Sequence, residues 1–464
     1  MQDHLSYLDP LLYQILSNLL TKYRFPSLSF ALFQHETLRF FSLGSVDLSK
    51  PENPPTTETL FRSASITKAF TSIMMLKLRD QGLLSLDDPI KLYLSDILPQ
   101  DSSFLASFGD VTLKNLASHS AGLPQEGDFD RYDGSEMPKM KEVLSGLDLD
   151  QLFGKNEEFH YSNIGYIVLG IILEKVAKRP YNEYVVEEIL KPLGMSSSGF
   201  DYNLPENQLK EAIGYLRNDD EIKEAPKISY HDCKPCGGLL TCIKDLSKYV
   251  NFLMENNNEK VLKSNKELMS PYILKPPSKN DKKIHSRAYG LGVDLGDYDN
   301  EYRIICHSGG TWGFSSYWLF VPELEFGVVT WHNSEYRGLR DVLEKCLEVI
   351  IPGIKQAKKP KIENIWKDLK EKICYKHVMG DIMRIRWKVG ENEHLMMDYK
   401  DKTGDVEKKM KLDKIIKEDN KYKVVKGSDA GEILQFLGKV EKDQKLPETI
   451  KFKGGFFYLS NEKF

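Results

Sequence analysis

The stretch FRSASITKAFTSIMML (61–76) is the part of the sequence most informative about the fold, because a polar segment there leads into an apolar helical pattern. We expect a helix to start near Ser65 and to run until Gly82, a residue type that commonly ends helices. Ser65 and Lys68 stand at i and i+3, and residues at this spacing share one helix face. A serine needs an adjacent base to act as a nucleophile, and a desolvated lysine can accept its proton near neutral pH. The spacing alone often occurs by chance, and an exposed helix start is the simpler interpretation of it.

A second polar cluster precedes another apolar helix, in HYSNIGYIVLG (160–170). Its polar residues could cap the helix. Alternatively, Tyr161 could point its phenol into a cleft, where a neighbouring ammonium would lower the pKa of the phenol and make it an acid/base candidate. Asn163 offers both a donor and an acceptor for orienting Lys68 or a substrate amide. Taken singly, the capping interpretation is the better one.

A third cluster, HSGGT (307–311), lies at the end of one strand-like segment and before another. The paired glycines Gly309 and Gly310 would let a ligand approach the backbone and free an N–H group to point at a developing oxyanion. His307 would supply a donor at the rim of such a site. An isolated HSGG would more often be merely a turn.

The arrangement of strands and helices predicts an α+β fold. Leucines at helical spacing indicate a helix over residues 5–23, and LRDVLEKCLEVII indicates another over 339–351. The apolar, β-branched or aromatic segments typical of strands are 27–34 and 37–44, joined by a tight turn at His35 and Glu36, and 301–308, 314–322 and 325–333. Between about 70 and 280 the pattern is mainly helical. We therefore expect an antiparallel sheet built from distant segments and flanked by helices, a helical lobe, and a cleft between them.

The composition changes after the segment PGIKQAKKPK (352–361), which carries proline and lysine. Residues 361–464 hold 24 basic and 19 acidic residues, and short strand-like pieces alternate there with charged turns. We predict a main domain over 1–352, a linker over 353–360, and a small β-rich domain over 361–464, for which a barrel is one arrangement. The lysines of the last domain are interpreted as a solvated face.

Charge and composition exclude several classes of function. The chain has 464 residues with Lys+Arg 64 and Asp+Glu 68, so there is no basic excess for binding nucleic acid. No apolar run reaches the roughly 18 residues that span a bilayer, and no basic secretory signal is visible, so we expect a cytoplasmic protein that does not bind membranes. Six irregularly spaced cysteines fit free thiols. Cys233-Lys-Pro-Cys236 could be half a metal site or a redox pair, but structural thiols are the preferred interpretation, and no metal or cofactor is expected.

The three clusters occur in one order together with four further segments: GLLSLDDPI (82–90), LASHSAGLP (116–124), KPLGM (191–195) and PCGGLLT (235–241). This combination resembles the serine β-lactamase and penicillin-binding-protein superfamily, and most closely its branch of class C β-lactamases, D-aminopeptidases and family VIII esterases. The resemblance covers about residues 10–350. It implies a β-lactamase/transpeptidase-like fold with antiparallel sheet and helical lobe, followed by a small β-barrel-like domain of the kind that caps clefts or builds oligomers.

The resemblance implies a role for each motif residue. Ser65 would attack the carbonyl of a small ester or amide, Lys68 and Tyr161 would share its proton, and Asn163 would position the substrate. The N–H groups of Ser65 and Gly310 would form the oxyanion hole, beside His307 and Gly309.

Two departures from the family pattern bear on the substrate. His307 stands where many β-lactamases carry lysine, and a largely neutral histidine puts affinity for anionic β-lactams in doubt. Cys236 stands where Ala or Ser is usual and would contribute a wall of the cleft. Two alternatives remain: acyl transfer to an alcohol or amine, and a catalytically silent scaffold that forms filaments.

Overall fold

The computed structural model describes most of the chain up to residue 358 and the backbone of eight strands beyond it. The described ranges are 5–34, 37–98, 102–125, 158–200, 211–218, 221–227, 229–255, 259–277, 282–335, 338–358, and the strands between 373 and 460 whose bounds are given below. The predicted turn at His35 and Glu36 lies outside them. The chain divides into two compact units, Leu20–Glu344 and a second made of Met1–Leu19 with Lys345–Phe464.

The described helices are mostly short. The longest are the first and the last before residue 360 and the helices next to the motif segments. They are α1 Asp9–Tyr23, α2 Thr67–Asp80, α3 Lys91–Leu94, α4 Ser103–Phe108, α5 Leu113–Ala117, α6 Asn163–Ala177, α7 Tyr181–Val185, α8 Lys234–Gly237, α9 Ile243–Glu255 and α10 Leu339–Lys358. Single 3₁₀ turns, Ser6–Leu8, Ala64–Ile66 and His231–Cys233, precede α1, α2 and α8, and a π turn, Val186–Leu190, follows α7. None of the helices within the described ranges combines the length and apolarity needed to cross a lipid bilayer.

An eight-stranded antiparallel sheet forms the framework of the larger unit. Its strands are β1 Ser27–Gln34, β2 Thr37–Gly44, β7 Ile273–Leu274, β8 Ile284–Tyr289, β9 Asp294–Tyr298, β10 Tyr302–Thr311, β11 Phe314–Val321 and β12 Phe326–His332. Their order is β2-β1-β12-β11-β10-β9-β8-β7. Strand β1 pairs with β12, for example Phe30 with Thr330, so distant parts of the chain meet in the sheet as predicted.

Three strands of the sheet, β7 to β9, were not predicted. IHSRAY in β8 and DLGDY in β9 carry charged and polar residues and show no continuous apolar run. They become strands through pairing, β9 with β10 and β8 with β9, rather than through their own pattern. Two small antiparallel pairs also lie outside the large sheet. They are β3 Phe61–Arg62 with β6 Leu240–Thr241, and β4 Tyr215–Asn218 with β5 Glu221–Glu224.

Helix α2 runs through the centre of the core, because every residue from Thr67 to Leu76 is buried. A helix buried on all sides needs neighbours on all sides, and α6 and α8 supply two of them. The contact between α6 and α8 is close: a Cβ on Gly170 would lie 2.0 Å from Cγ of Pro235. Lys68, one of the candidate catalytic residues, therefore lies on a buried helix.

The predicted end of the last helix of the main domain was wrong. Helix α10 does not stop at Ile351 but continues through Pro352 to Lys358, so most of the segment predicted as a linker is helical. Proline costs the helix one hydrogen bond, but the apolar face continues with Ile354, which is 1% exposed. The rest of the predicted linker lies outside the described residues, and the domain bounds remain a prediction.

Beyond α10, eight antiparallel strands close into a barrel. They are β13 Ile373–His377, β14 Ile382–Lys388, β15 His394–Lys400, β16 Glu407–Lys414, β17 Lys421–Lys426, β18 Ile433–Phe436, β19 Thr449–Phe452 and β20 Gly455–Ser460. Strand β13 pairs with both β14 and β20, which closes the ring. The region predicted as β-rich therefore has the barrel arrangement that the sequence left open.

Candidate active site

Ser65 lies in the 3₁₀ turn that leads into α2 and is partly exposed. The preceding residue, Ala64, has a φ of 48°, in the left-handed region that non-glycine residues rarely adopt. This strained turn is held by hydrogen bonds: Thr67 Oγ1 donates to the Ala64 carbonyl at 2.7 Å and accepts from Leu239 N at 3.1 Å. The surroundings therefore fix the backbone on which the Ser65 hydroxyl stands.

Lys68 follows one helical turn later and is fully buried, with 0% exposure. Its Nζ lies 3.1 Å from Ser65 Oγ. The same nitrogen lies 2.6 Å from Asn163 Oδ1 and 2.9 Å from the Cys236 carbonyl oxygen. The structure thus brings Ser65, Lys68 and Asn163 together as the sequence predicted.

These contacts of Lys68 with Ser65, Asn163 and Cys236 suit a proton exchange. An ammonium has three N–H groups, whereas a neutral amine has two N–H groups and one lone pair. Asn163 Oδ1 and the Cys236 carbonyl can only accept, so they use two N–H groups in either state. Ser65 Oγ can accept from the ammonium or donate to the amine. One proton can therefore pass between serine and lysine while the other two hydrogen bonds stay unchanged.

The Tyr161–Asn163 cluster caps a helix through one residue and faces Lys68 through the other two. Ser162 is the cap of α6, because its Oγ accepts from Gly165 N at 3.0 Å. Its neighbours on either side face the buried lysine instead. Lys68 Nζ lies 4.8 Å from the centroid of the Tyr161 ring, next to its contact with Asn163. A helix start and a reactive cluster therefore occupy the same three residues.

The HSGGT segment forms the end of β10 rather than a turn. Strand β9 pairs with β10 only up to Cys306, whereas β11 pairs with it as far as Thr311. Within the described ranges no strand pairs with the other edge of 307–311. Gly309 packs against the segment that carries Ser65, since a Cβ there would lie 2.0 Å from the Ser63 carbonyl oxygen. Only glycine lets β10 approach this closely.

His307 does not lie at the rim, so this expectation was wrong. It is 2% exposed, and the ring of Tyr289 packs edge-on against it. Its Nδ1 lies 2.6 Å from the Ser308 carbonyl, which can only accept, so Nδ1 carries the proton. Nε2 then accepts from the Tyr289 hydroxyl at 2.8 Å. Burial lowers the pKa of His307 to about 4, and the nearby Lys68 charge acts in the same direction, so the ring is neutral at pH 7.

A family model described as "Beta-lactamase" matches residues 12–345. The chain belongs to the beta-lactamase family. Among curated relatives, "Protein flp" of Staphylococcus aureus (strain MRSA252) is 30% identical over 295 residues, which are 62% of this chain and 55% of that protein. The chain spans between 55% and 61% of the length of the curated relatives that match it first.

Solved structures of other proteins have the same fold. The octameric penicillin-binding protein homologue from Pyrococcus abyssi has a TM-score of 0.62 at 22% identity, and the alignment covers 97% of this chain and 99% of that one. The D-amino acid amidase from Ochrobactrum anthropi SV3 has a TM-score of 0.63 at 21% identity, covering 76% of this chain and 100% of the other. The β-lactamase/transpeptidase-like fold predicted from the sequence is confirmed.

The sequence did not reveal every residue that lines the reactive cluster of this family member. Cys236 was expected to form a wall, but its backbone carbonyl is a hydrogen-bond acceptor for Lys68. Tyr289 and His119 were not singled out, although His119 lies in one of the segments that carry the resemblance. The five described cysteines, Cys233, Cys236, Cys242, Cys306 and Cys346, are buried, and Cys374 lies in a strand whose side chains are not described.

Proposed function

We propose that the protein is a serine hydrolase that forms an acyl-enzyme on Ser65. The observation that carries this proposal is the 3.1 Å contact between Ser65 Oγ and the buried amine of Lys68. The same amine also donates to Asn163 Oδ1 and to the Cys236 carbonyl, which fix its position beside the serine. A serine that can pass its proton to a neighbouring base is the arrangement nucleophilic catalysis requires.

In the proposed reaction, Ser65 Oγ forms a bond to the substrate carbonyl carbon while its proton passes to Lys68. The carbonyl π electrons move to the oxygen, and the backbone N–H groups of Ser65 and Gly310 stabilise the resulting oxyanion. Collapse of the tetrahedral intermediate expels the alcohol or amine, which takes up the proton through Lys68 and Tyr161. Water then attacks the acyl-enzyme by the same steps, releasing the acid and restoring Ser65.

The proposed substrate is a small ester or amide without a carboxylate at the position of His307. A lysine there would pair with a substrate carboxylate, but His307 is buried, neutral and hydrogen-bonded to Tyr289. Hydrolysis of an amide is supported by the structural similarity to a D-amino acid amidase. We infer further that the protein can form oligomers, because the similar Pyrococcus protein is described as octameric.

The proposal is tested by labelling the protein with an activated-serine probe and locating the adduct by mass spectrometry. The adduct is expected on Ser65, and Ser65→Ala should abolish both labelling and hydrolysis of p-nitrophenyl esters. Ser95→Ala is the matched control, since Ser95 is exposed and donates to the Lys91 carbonyl at the end of α3. Labelling that persists in Ser65→Ala would disprove the assignment.

The same acyl-enzyme could transfer its acyl group to an alcohol or amine. Product analysis with added acceptors separates the two reactions: free acid alone indicates hydrolysis, and a new ester or amide indicates transfer. A protein that neither reacts with the probe nor cleaves esters, yet forms filaments, would be the silent scaffold. The proton geometry at Lys68 favours an enzyme over that scaffold.

A further inference from the structure

The segment LASHSAGLP (116–124) carries part of the family resemblance, yet the proposed reaction gives it no task. In the structure this segment and Gln125 contact residues 160–163, at and just before the start of α6. Asn163 N donates to the Gln125 carbonyl at 2.9 Å, and Ser162 Oγ donates to the Pro124 carbonyl at 2.7 Å. The segment therefore supports the backbone from which Tyr161 and Asn163 project.

His119 makes the contacts on both sides of Tyr161. Its carbonyl oxygen accepts from His160 N at 2.8 Å, and its Nδ1 accepts from Ser162 N at 3.0 Å. A single residue thus binds the N–H groups that precede and follow Tyr161. Because these peptide groups set the direction of the Tyr161 side chain, a shift of His119 would move the phenol.

The imidazole ring of His119 also packs on the tyrosine itself. The two ring centroids are 4.3 Å apart with an interplanar angle of 39°. His119 is 1% exposed and has a φ of 59°, a conformation in which only Asn, Asp and His among non-glycine residues are enriched. The ring therefore holds both the backbone and one face of the side chain of Tyr161.

Packing alone does not account for a histidine at this position. Since Nδ1 accepts a hydrogen bond from a backbone N–H, the proton of the neutral ring lies on Nε2. Nε2 is buried and has no hydrogen-bond partner within the described residues, which costs stability. Burial lowers the pKa of His119 well below its usual range, and the Lys68 charge acts in the same direction, so the ring stays neutral. An apolar side chain would avoid the cost at Nε2 but could not accept from Ser162.

We propose that His119 is a positioning residue that holds the Tyr161 phenol in reach of Lys68 and Ser65 through its hydrogen bond to Ser162 N. The inference rests on the proposed function, because it assigns His119 a task in acylation of Ser65. His119 itself touches neither the substrate nor the transferred proton. Its ring also packs on Tyr166 and Tyr289, with centroid distances of 5.1 and 4.8 Å, but the proposed effect on the reaction is the one through Tyr161.

The test is a double-mutant cycle with His119→Ala and Tyr161→Phe, measured as the pre-steady-state rate of acylation by a p-nitrophenyl ester. His119→Ala is expected to lower this rate about 10- to 100-fold, the effect of misplacing a reacting group by about 1 Å, with KM little changed. In the Tyr161→Phe background the same substitution should have no further effect, since the phenol it positions is absent. A purely structural role would lower the rate by the same factor in both backgrounds.

His119→Asn separates the hydrogen bond from the ring. Asparagine tolerates the left-handed conformation and can place Oδ1 near the position of Nδ1, so it should recover at least half of the loss on a logarithmic scale. If His119→Ala does not fold by circular dichroism, the cycle is run with His119→Asn, whose smaller loss must likewise vanish in Tyr161→Phe.

Three results would overturn the inference: an unchanged acylation rate, additive effects, or no recovery by asparagine. Hydrolysis that survives Ser65→Ala would instead show that the proposed function is wrong, so the two failures are distinguishable.

Discussion

Replacing Gly309 with alanine tests whether the contact between β10 and the Ser65 segment is needed for activity. A Cβ at Gly309 would lie 2.0 Å from the Ser63 carbonyl oxygen and 2.6 Å from Ser316 Oγ. Ser316 Oγ donates to that same carbonyl at 3.0 Å. The new methyl group would therefore disrupt both the packing of Gly309 on Ser63 and this hydrogen bond. We expect Gly309→Ala to force β10 away from the turn that carries Ser65.

The size of the effect follows from the geometry. Ordinary van der Waals contact begins at 3.4 Å, so the new methyl group is about 1.4 Å too close to the Ser63 carbonyl. Overpacking of this kind and one lost hydrogen bond together destabilise the fold by about 2–4 kcal/mol. The proposed oxyanion donors, Ser65 N–H and Gly310 N–H, lie on opposite sides of the widened contact. A misplacement of about 1 Å typically costs about 100-fold in rate, and the acylation rate should fall by at least that factor.

Two measurements check this prediction: the acylation burst with a p-nitrophenyl ester, and the free energy of unfolding in urea. Gly310→Ala is the matched control for stability, because a Cβ there meets no atom within 4 Å and should change the unfolding free energy by less than about 0.5 kcal/mol. The reasoning would be refuted if Gly309→Ala unfolded and acylated like the wild type. It would also be refuted if both glycine variants lost the same stability.

Three further predictions concern charge and protonation in the site. Lys68→Met should lower the acylation rate about 100-fold or more, because the general base is lost. Lys77→Met is the control, since Lys77 lies on the same helix and donates to the Lys260 carbonyl, and it should leave the rate unchanged. Equal burst rates of the two variants would contradict this prediction. Because burial lowers the pKa of His307 from 6.5 to about 4, the unfolded chain takes up a proton that the folded protein excludes. The free energy of unfolding should therefore fall as the pH drops from 6.5 to about 4. Urea titrations should show a smaller fall in this free energy for His307→Gln. With a neutral His307, a β-lactam methyl ester should acylate Ser65 at least as fast as its free acid, and a preference of more than about tenfold for the acid would count against the proposed substrate class.

Local spacing predicted the part of the site that lies on helices. Ser65, in the 3₁₀ turn, and Lys68, in α2, are three residues apart in continuous helical structure, so their proximity follows from helix geometry without knowledge of the rest of the fold. The strands β1, β10, β11 and β12 were likewise predictable, since their apolar and aromatic residues fit a buried sheet. These features depend on neighbours in the sequence, which is why the pattern alone found them.

Contacts made by backbone atoms and by distant segments were not predictable in this way. The Cys236 carbonyl reaches Lys68 because the β3–β6 pair and the Gly170–Pro235 contact place α8 beside α2. Nothing in the side chain of Cys236 signals that role. The hydrogen-bond partner of His307 is Tyr289, which belongs to a strand whose own sequence is too polar to suggest one. Such features require the tertiary structure.

The turn that carries Ser65 is held from two sides, and this limits which atoms can move during the proposed reaction. On one side Ser63 N and Oγ both donate to the Leu239 carbonyl, at 3.0 and 2.8 Å. On the other side the Ser63 carbonyl accepts from Ser316 Oγ against the surface of Gly309. Ala64 is thereby kept in a left-handed conformation that costs about 1–2 kcal/mol. A proton exchange at Lys68 needs no movement of this turn, because its other two hydrogen bonds are the same in both protonation states. The strained turn at Ala64 therefore keeps Ser65 in place while only the proton moves.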